Sequence, residues 1–109
     1  MTAALRKFRN TPTSVGDVLF DSKREARRYG ELKLLERAGE ITGLILQPKF
    51  PLVVNGEHVC AYVGDFEYRD KAGRRVVEDV KSAITRKHPV YRLKAKLFRA
   101  VMGFEITEV

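Results

Sequence analysis

At Gly39 the spacing of apolar residues changes from steps of three and four to steps of two, and this switch restricts the possible folds more than any other feature. Upstream, FDSKREARRYGELKLLERAGE carries helix signals at both ends. Ser22 followed by Glu25 forms a capping box, and Gly39 stands where a left-handed residue ends a helix. Ala26, Tyr29, Leu32 and Leu35 supply an apolar stripe of helical period, with charge on the remaining face.

Downstream, ITGLILQPKFPLVV reads as a strand, a kink at Pro48 and Pro51, and an edge strand. Asn55-Gly56 is a hairpin turn, because both positions tolerate the positive φ that a tight two-residue turn requires. It passes the chain to HVCAYVGDFEYRD, and Ala72-Gly73 turns it again into RRVVEDVKS. The expected middle of the fold is therefore a three-stranded antiparallel meander. Pro89 then suits the first turn of a second helix, where its missing N–H has no partner to lose. Leu93, Leu97 and Val101, flanked by Phe98 and Met102, mark its apolar face, Gly103 ends it, and FEITEV alternates as a last strand. The order is helix, three strands, helix, strand. At 109 residues this is one domain over 20–109, preceded by a basic arm over 1–19 with a short strand in VGDVLF.

Lys and Arg number 21 against 14 acids, a net charge of +7 spread along the whole chain. A polyanion is the partner such a surface attracts, through its long-range field and through release of counterions. Cys60 is the single cysteine, so neither an internal disulfide nor a cysteine-built zinc site can form, as expected of a protein kept in a reducing cytoplasm. No apolar run reaches signal or membrane-spanning length, so no membrane partner is expected.

Three acid-x-Lys triplets occur: Asp21-Ser22-Lys23, Glu31-Leu32-Lys33 and Asp79-Val80-Lys81. On a helix, residues two apart point about 200° away from each other, so Glu31 and Lys33 cannot converge on one ligand. On a strand they share a face, so only Asp79 and Lys81 are held side by side, with Glu78 and Val80 opposite. Pairing across the Gly73 turn brings Asp65 level with Asp79, within reach of a common cation. Two carboxylates and the carbonyl of Val80 are hard oxygen donors of the kind magnesium or manganese takes. A cation held there lowers the pKa of its water and neutralises charge on a phosphate, and Lys81 beside it can orient that water. The competing reading pairs both aspartates with nearby arginines as surface salt bridges.

The stretches FDSKREARRY, LQPKF, DFEYRD and VVEDVKS followed by YRLKAKLF, spanning Phe20 to the end, resemble the PD-(D/E)XK nucleases. They are most similar to a small phage-encoded family related to Holliday junction resolvases and restriction-type endonucleases. The resemblance implies an α/β restriction-endonuclease-like core with a central mixed sheet, and a magnesium-dependent endonuclease acting on DNA. It assigns metal binding to Asp65 and Asp79, catalysis to Lys81 and an accessory role to Glu25. Gly64 stands where the family name has proline. It also implies branched DNA as substrate, hence a two-fold dimer, and a site of action in the cytoplasm of a bacterial host.

Glu25 is claimed equally by the helix cap and by the site. Gln47 is a candidate to contact a phosphate or position Glu25, and Tyr91 and Lys94 are candidates for the DNA backbone near a helix beginning. A non-catalytic nucleic-acid-binding module of phage replication or regulation is the alternative function, and a structural protein of a virion or ribonucleoprotein is a third.

Overall fold

The computed structural model describes residues 12–15, 18–20 and 22–109. Among these the chain is a mixed α/β protein with a mixed sheet and three helices, in the order β1 (Thr13–Val15), β2 (Val18–Phe20), α1 (Lys23–Arg37), β3 (Thr42–Leu46), β4 (Lys49–Val54), β5 (Glu57–Val63), β6 (Phe66–Arg69), β7 (Arg75–Asp79), α2 (Ala83–Arg86), α3 (Pro89–Met102) and β8 (Thr107–Glu108). No described helix is long and apolar enough to cross a membrane.

Local chemistry accounts for the helix ends. The Ser22 hydroxyl accepts from the Glu25 amide at 3.1 Å and so satisfies one of the unpaired donors at the start of α1. At the other end Gly39 takes φ 79°, its N–H donates to Glu36 and that of Glu40 to Leu35, the two-bond closure of a left-handed helix terminator. Pro89 opens α3 behind an N-cap at His88, and Gly103 at φ 85° closes it.

The central sheet has the order β3-β6-β7-β8, antiparallel except for the β7–β8 pair, which is parallel. The expected meander is present but bent. Its first strand breaks at Gln47-Pro48 and its second at Gly64-Asp65, so the hairpin β4–β5 swings away from β3–β6. The two bends are bonded to each other: the Gln47 amide donates to the Asp65 carbonyl and the Gly64 amide to the Pro48 carbonyl, each at 3.0 Å. Gln47 holds φ 51°, a left-handed conformation that costs a non-glycine residue on the order of 1 kcal/mol. A Cβ on Gly64 would lie 3.1 Å from Val77 Cγ1 and 3.4 Å from the Glu78 carbonyl oxygen, so a bare backbone is what lets this bend press against β7.

Both faces of the sheet are covered. Phe20, Ala26, Leu32, Ile41, Phe66 and Tyr68 form one core under α1, while Phe50, Leu52, Tyr62, Val77 and Phe98 form another under α3 and the bent hairpin. Val76 packs toward the first and Val77 is buried in the second, so alternate residues of β7 feed opposite cores. The Phe98 ring meets those of Phe50, Tyr62 and Phe104 edge-on, 5.1 to 5.3 Å between centroids, an arrangement the ring quadrupoles favour. Cys60 packs against this second core.

Two sequence expectations change. The apolar stripe of α3 excludes Leu93, which is 68% exposed; the buried side is Phe98 with Tyr91, Leu97, Val101 and Met102. Five residues before Phe98, Leu93 lies about 140° around the helix from it. The expected boundary between arm and domain at residues 19 and 20 falls inside β2, and Val15 packs against the first core. Residues 1–11 of the expected arm, and Asp21 of the first acid-x-Lys triplet, lie outside the described residues.

Candidate active site

Because the bend at Gly64 presses on the end of β7, Asp65 stands level with Asp79. Phe66 is in register with Glu78, and the Asp65 amide donates to the Glu78 carbonyl at 3.0 Å. The Val80 amide donates to Asp65 Oδ2 at 2.7 Å, which turns this carboxylate toward the neighbouring strand, close enough to Asp79 for their charges to interact. Asp79 is 1% exposed. One of its oxygens accepts from the Tyr62 hydroxyl, and the other lies 3.0 Å from the Lys81 ammonium. Lys81 in turn rests over the Tyr91 ring, 4.8 Å from its centroid, a contact that attracts a cation to the ring face. Of the residues expected at the site, Asp65, Asp79 and Lys81 are thus brought together.

Glu25 is buried on α1, and its charge reaches Asp65. Burial first, then the charges of Asp79 and Glu25, push the Asp65 carboxyl up to about 9, against the opposing pull of the Val80 amide. Like charges crowded out of water cannot all ionise at ordinary cost. A carboxyl that holds its proton in the folded state over the interval from 3.8 to about 9 stabilises fully below the lower value. That contribution is lost as pH rises toward the upper one. In EDTA the Tm of the native protein is therefore expected to fall more steeply between pH 5 and pH 9 than that of Asp65→Asn, which keeps an acceptor for the Val80 amide. Parallel Tm curves would remove the buried acid pair from the account.

Glu78 and Asp79 point to opposite faces of β7. Glu78 faces α1, fully buried, where Arg28 grips it through Nε at 2.8 Å and Nη2 at 2.6 Å while the Tyr68 hydroxyl also donates to it. The Arg28 guanidinium is held above its ordinary range chiefly by that bond. Adjacent acids of one strand thus do different work on opposite faces.

The remaining candidates take other positions. Gln47 stands across from Asp65 and contacts it through its backbone amide. Val80 makes its contact to Asp65 through its amide. Lys94 is half-buried and donates to the Ala61 carbonyl at 3.1 Å, tying α3 to β5. Tyr91 lies at the site, donating to Glu108 Oε2 at 2.6 Å. In the second triplet, Glu31 pairs with Arg28 and Lys33 with Glu36 along α1.

Tyr62 and Glu108 are the members of this group that sequence reasoning did not single out. Tyr62 sits three residues before Asp65 among apolar neighbours and reads as core. Glu108 is in register with Asp79 because β8 runs parallel to β7, and it also takes a long contact of 3.7 Å from Arg86. Nothing local in FEITEV specifies that pairing. Among the described residues no group of three or more His, Cys, Asp or Glu side chains is gathered closely enough to hold a metal ion. Asp65 and Asp79 are the two acids brought side by side where β6 and β7 pair.

The family described as "Protein of unknown function (DUF1064)" matches residues 5–105 of the chain. No curated protein and no solved structure matches it.

Proposed function

We propose that this chain, which belongs to the DUF1064 family, is a metal-dependent nuclease that hydrolyses phosphodiester bonds in DNA. The observation that carries this reading is the face shared by Asp65, Asp79 and Lys81 at the end of β7, with the Lys81 ammonium 3.0 Å from Asp79. The order of α1, antiparallel β3, β6 and β7, then α3 and a strand parallel to β7 supports a restriction-endonuclease-like core.

The donor set suits a small hard cation. Magnesium keeps several waters and takes one or two protein carboxylates beside substrate oxygens, so two aspartates suffice where a cage of three or more acids is not formed. Asp65 and Asp79 would hold it, with Glu25 near enough to add charge and Val80 offering its carbonyl; manganese is the alternative ion. When bound, the ion supplies an activated water and charge neutralisation. Lys81, seated on Tyr91, holds an ammonium where the attacking water is to be oriented and where charge develops on the phosphoryl oxygens. Tyr62 fixes the second oxygen of Asp79, so the carboxylate meets its ligand in one orientation.

The direct test is cleavage by the purified protein of linear, nicked, flapped and four-way-junction DNA in Mg²⁺ or Mn²⁺, with EDTA as the control. Cutting that depends on the ion is expected. Binding without cutting, on every substrate and with either ion, would instead favour a non-catalytic DNA-binding module. Preference for branched DNA, and the two-fold dimer it requires, rest on the sequence resemblance alone. Glu25→Gln separates capping from catalysis, because glutamine still caps a helix but is a poor magnesium ligand. We expect an unchanged Tm and a loss in kcat of roughly ten- to a hundredfold, the range of residues that support a metal site; full activity would confine Glu25 to the cap.

A further inference from the structure

We propose that Arg24 and Arg27 form a binding site for a backbone phosphate next to the one that is cut, an inference that rests on the nuclease reading and extends its substrate contacts. The two arginines belong to the run KREARR with which α1 begins, and together with Arg28, Glu31, Val80 and Val109 they line a cleft of about 180 Å³. The three guanidiniums are not equivalent. Arg28 is occupied, bonded to Glu78 and Glu31. Arg24 instead donates to main-chain carbonyls, to that of Lys81 at 3.2 Å and that of Val109 at 3.5 Å. It reaches the end of β7, and no Asp or Glu side chain is bonded to it among the described residues. Arg27 is exposed and has no hydrogen-bond or ion-pair partner among the described residues.

Two guanidiniums that no Asp or Glu side chain bonds among the described residues thus line one cleft. Arg24 also occupies the first turn of a helix, where the macrodipole disfavours a cation. The backbone bonds of Arg24 seat its guanidinium at the cleft, and an anion there would offset the unfavourable dipole and the like charge of the arginines. The guanidinium fork matches phosphate oxygens in pairs, so phosphate is the anion this chemistry selects.

Position gives the phosphate its place on DNA. Val80, which lines the cleft, is the residue between Asp79 and Lys81, and it packs toward the core under α1. The arginine cleft and the acid pair therefore lie on opposite faces of the sheet at one strand end, a single residue apart. A nucleic acid strand passing over that end places the scissile phosphate on the aspartate side and its neighbour on the arginine side.

The test measures binding of a labelled duplex in EDTA across a salt series, comparing the native protein, the double variant Arg24→Gln with Arg27→Gln, and Lys33→Gln as a charge-loss control further along α1. The double variant is expected to flatten the slope of log K against log salt by about 0.9 for the lost phosphate, with Lys33→Gln close to native. With Mg²⁺, its KM should rise about tenfold while kcat stays within twofold. A second arm keeps the native protein and walks one uncharged methylphosphonate along the strand; affinity should drop at a single position beside the cut, and not for the double variant. Equal slopes for native and double variant, equal flattening by Lys33→Gln, or no sensitive position overturns the inference. So does inorganic phosphate binding the native protein as tightly as the duplex does, which would make this a site for free phosphate. Because binding is read without cleavage, the two proposals fail separately. A flattened slope with no cutting under any ion leaves the cleft and removes the nuclease. Normal cutting with unchanged slope does the reverse.

Discussion

Asp79→Asn is expected to lower kcat for DNA cleavage at least about a thousandfold, about 4 kcal/mol of barrier, while leaving DNA affinity equal or higher. Asparagine keeps the shape of the side chain and one acceptor oxygen, so the Tyr62 hydroxyl retains a partner in the second core. What disappears is the formal charge that, with Asp65, is offered to a divalent ion. Loss of a negative group beside an incoming phosphate also removes a repulsion, and for that reason affinity is not expected to fall. The measurement is a single-turnover cleavage rate beside an anisotropy titration of the same sample. Cutting within tenfold of native would take Asp79 out of the chemistry and the proposed mechanism with it. A drop in rate accompanied by a large fall in Tm would instead mark Asp79 as a folding residue.

Arg28→Ala tests the other face of the same strand, where the expected effect falls on stability. Glu78 is fully buried and held by Arg28 through two bonds and by the Tyr68 hydroxyl. Removing one member of a buried pair strands the other charge in a medium that solvates it poorly, a loss of about 3–5 kcal/mol. For a domain of this size that is a fall in Tm of roughly 12 °C or more. Combining Arg28→Met with Glu78→Gln removes both charges and should recover most of the loss, because the desolvation penalty goes with the charges. The two Tm values together form the check. A single-variant loss under about 1 kcal/mol would mean that Tyr68 and water satisfy Glu78 without Arg28.

How far the fold could be read from the residues depended on the range of the forces involved. Both ends of α1 were legible because Ser22 and Gly39 act within one turn of the helix they terminate. The hairpin at Asn55-Gly56 was legible for the same reason, its residues at φ 51° and 81°. Leu93 was misplaced because periodicity identifies a stripe but not which side of it meets the hairpin. The break before Pro48 was legible from the proline, whereas the bend at Gly64 was hidden because it does not interrupt the apolar run; its bonds to the Gln47-Pro48 bend form only where the two strands pair. In the site, Asp65, Asp79 and Lys81 could be placed from strand parity and one short turn. Glu108 could not, since its position beside Asp79 depends on a parallel pairing that closes only after α3 has crossed the sheet. The partner of Glu78 was likewise invisible, because Arg28 is fifty residues away and one of many arginines.

The juxtaposition of Glu78 and Asp79 also governs how β7 can settle during folding. Sliding a strand by one residue reverses every side chain it carries. Here the slide would present Glu78 where Tyr62 waits, turn Lys81 away with the strand and offer the shorter Asp79 to Arg28, leaving a gap in one core and crowding in the other. Misaligned molecules would thus lose their electrostatic clasp and their reactive centre in a single step, so the sheet carries its own proofreading in two consecutive acids.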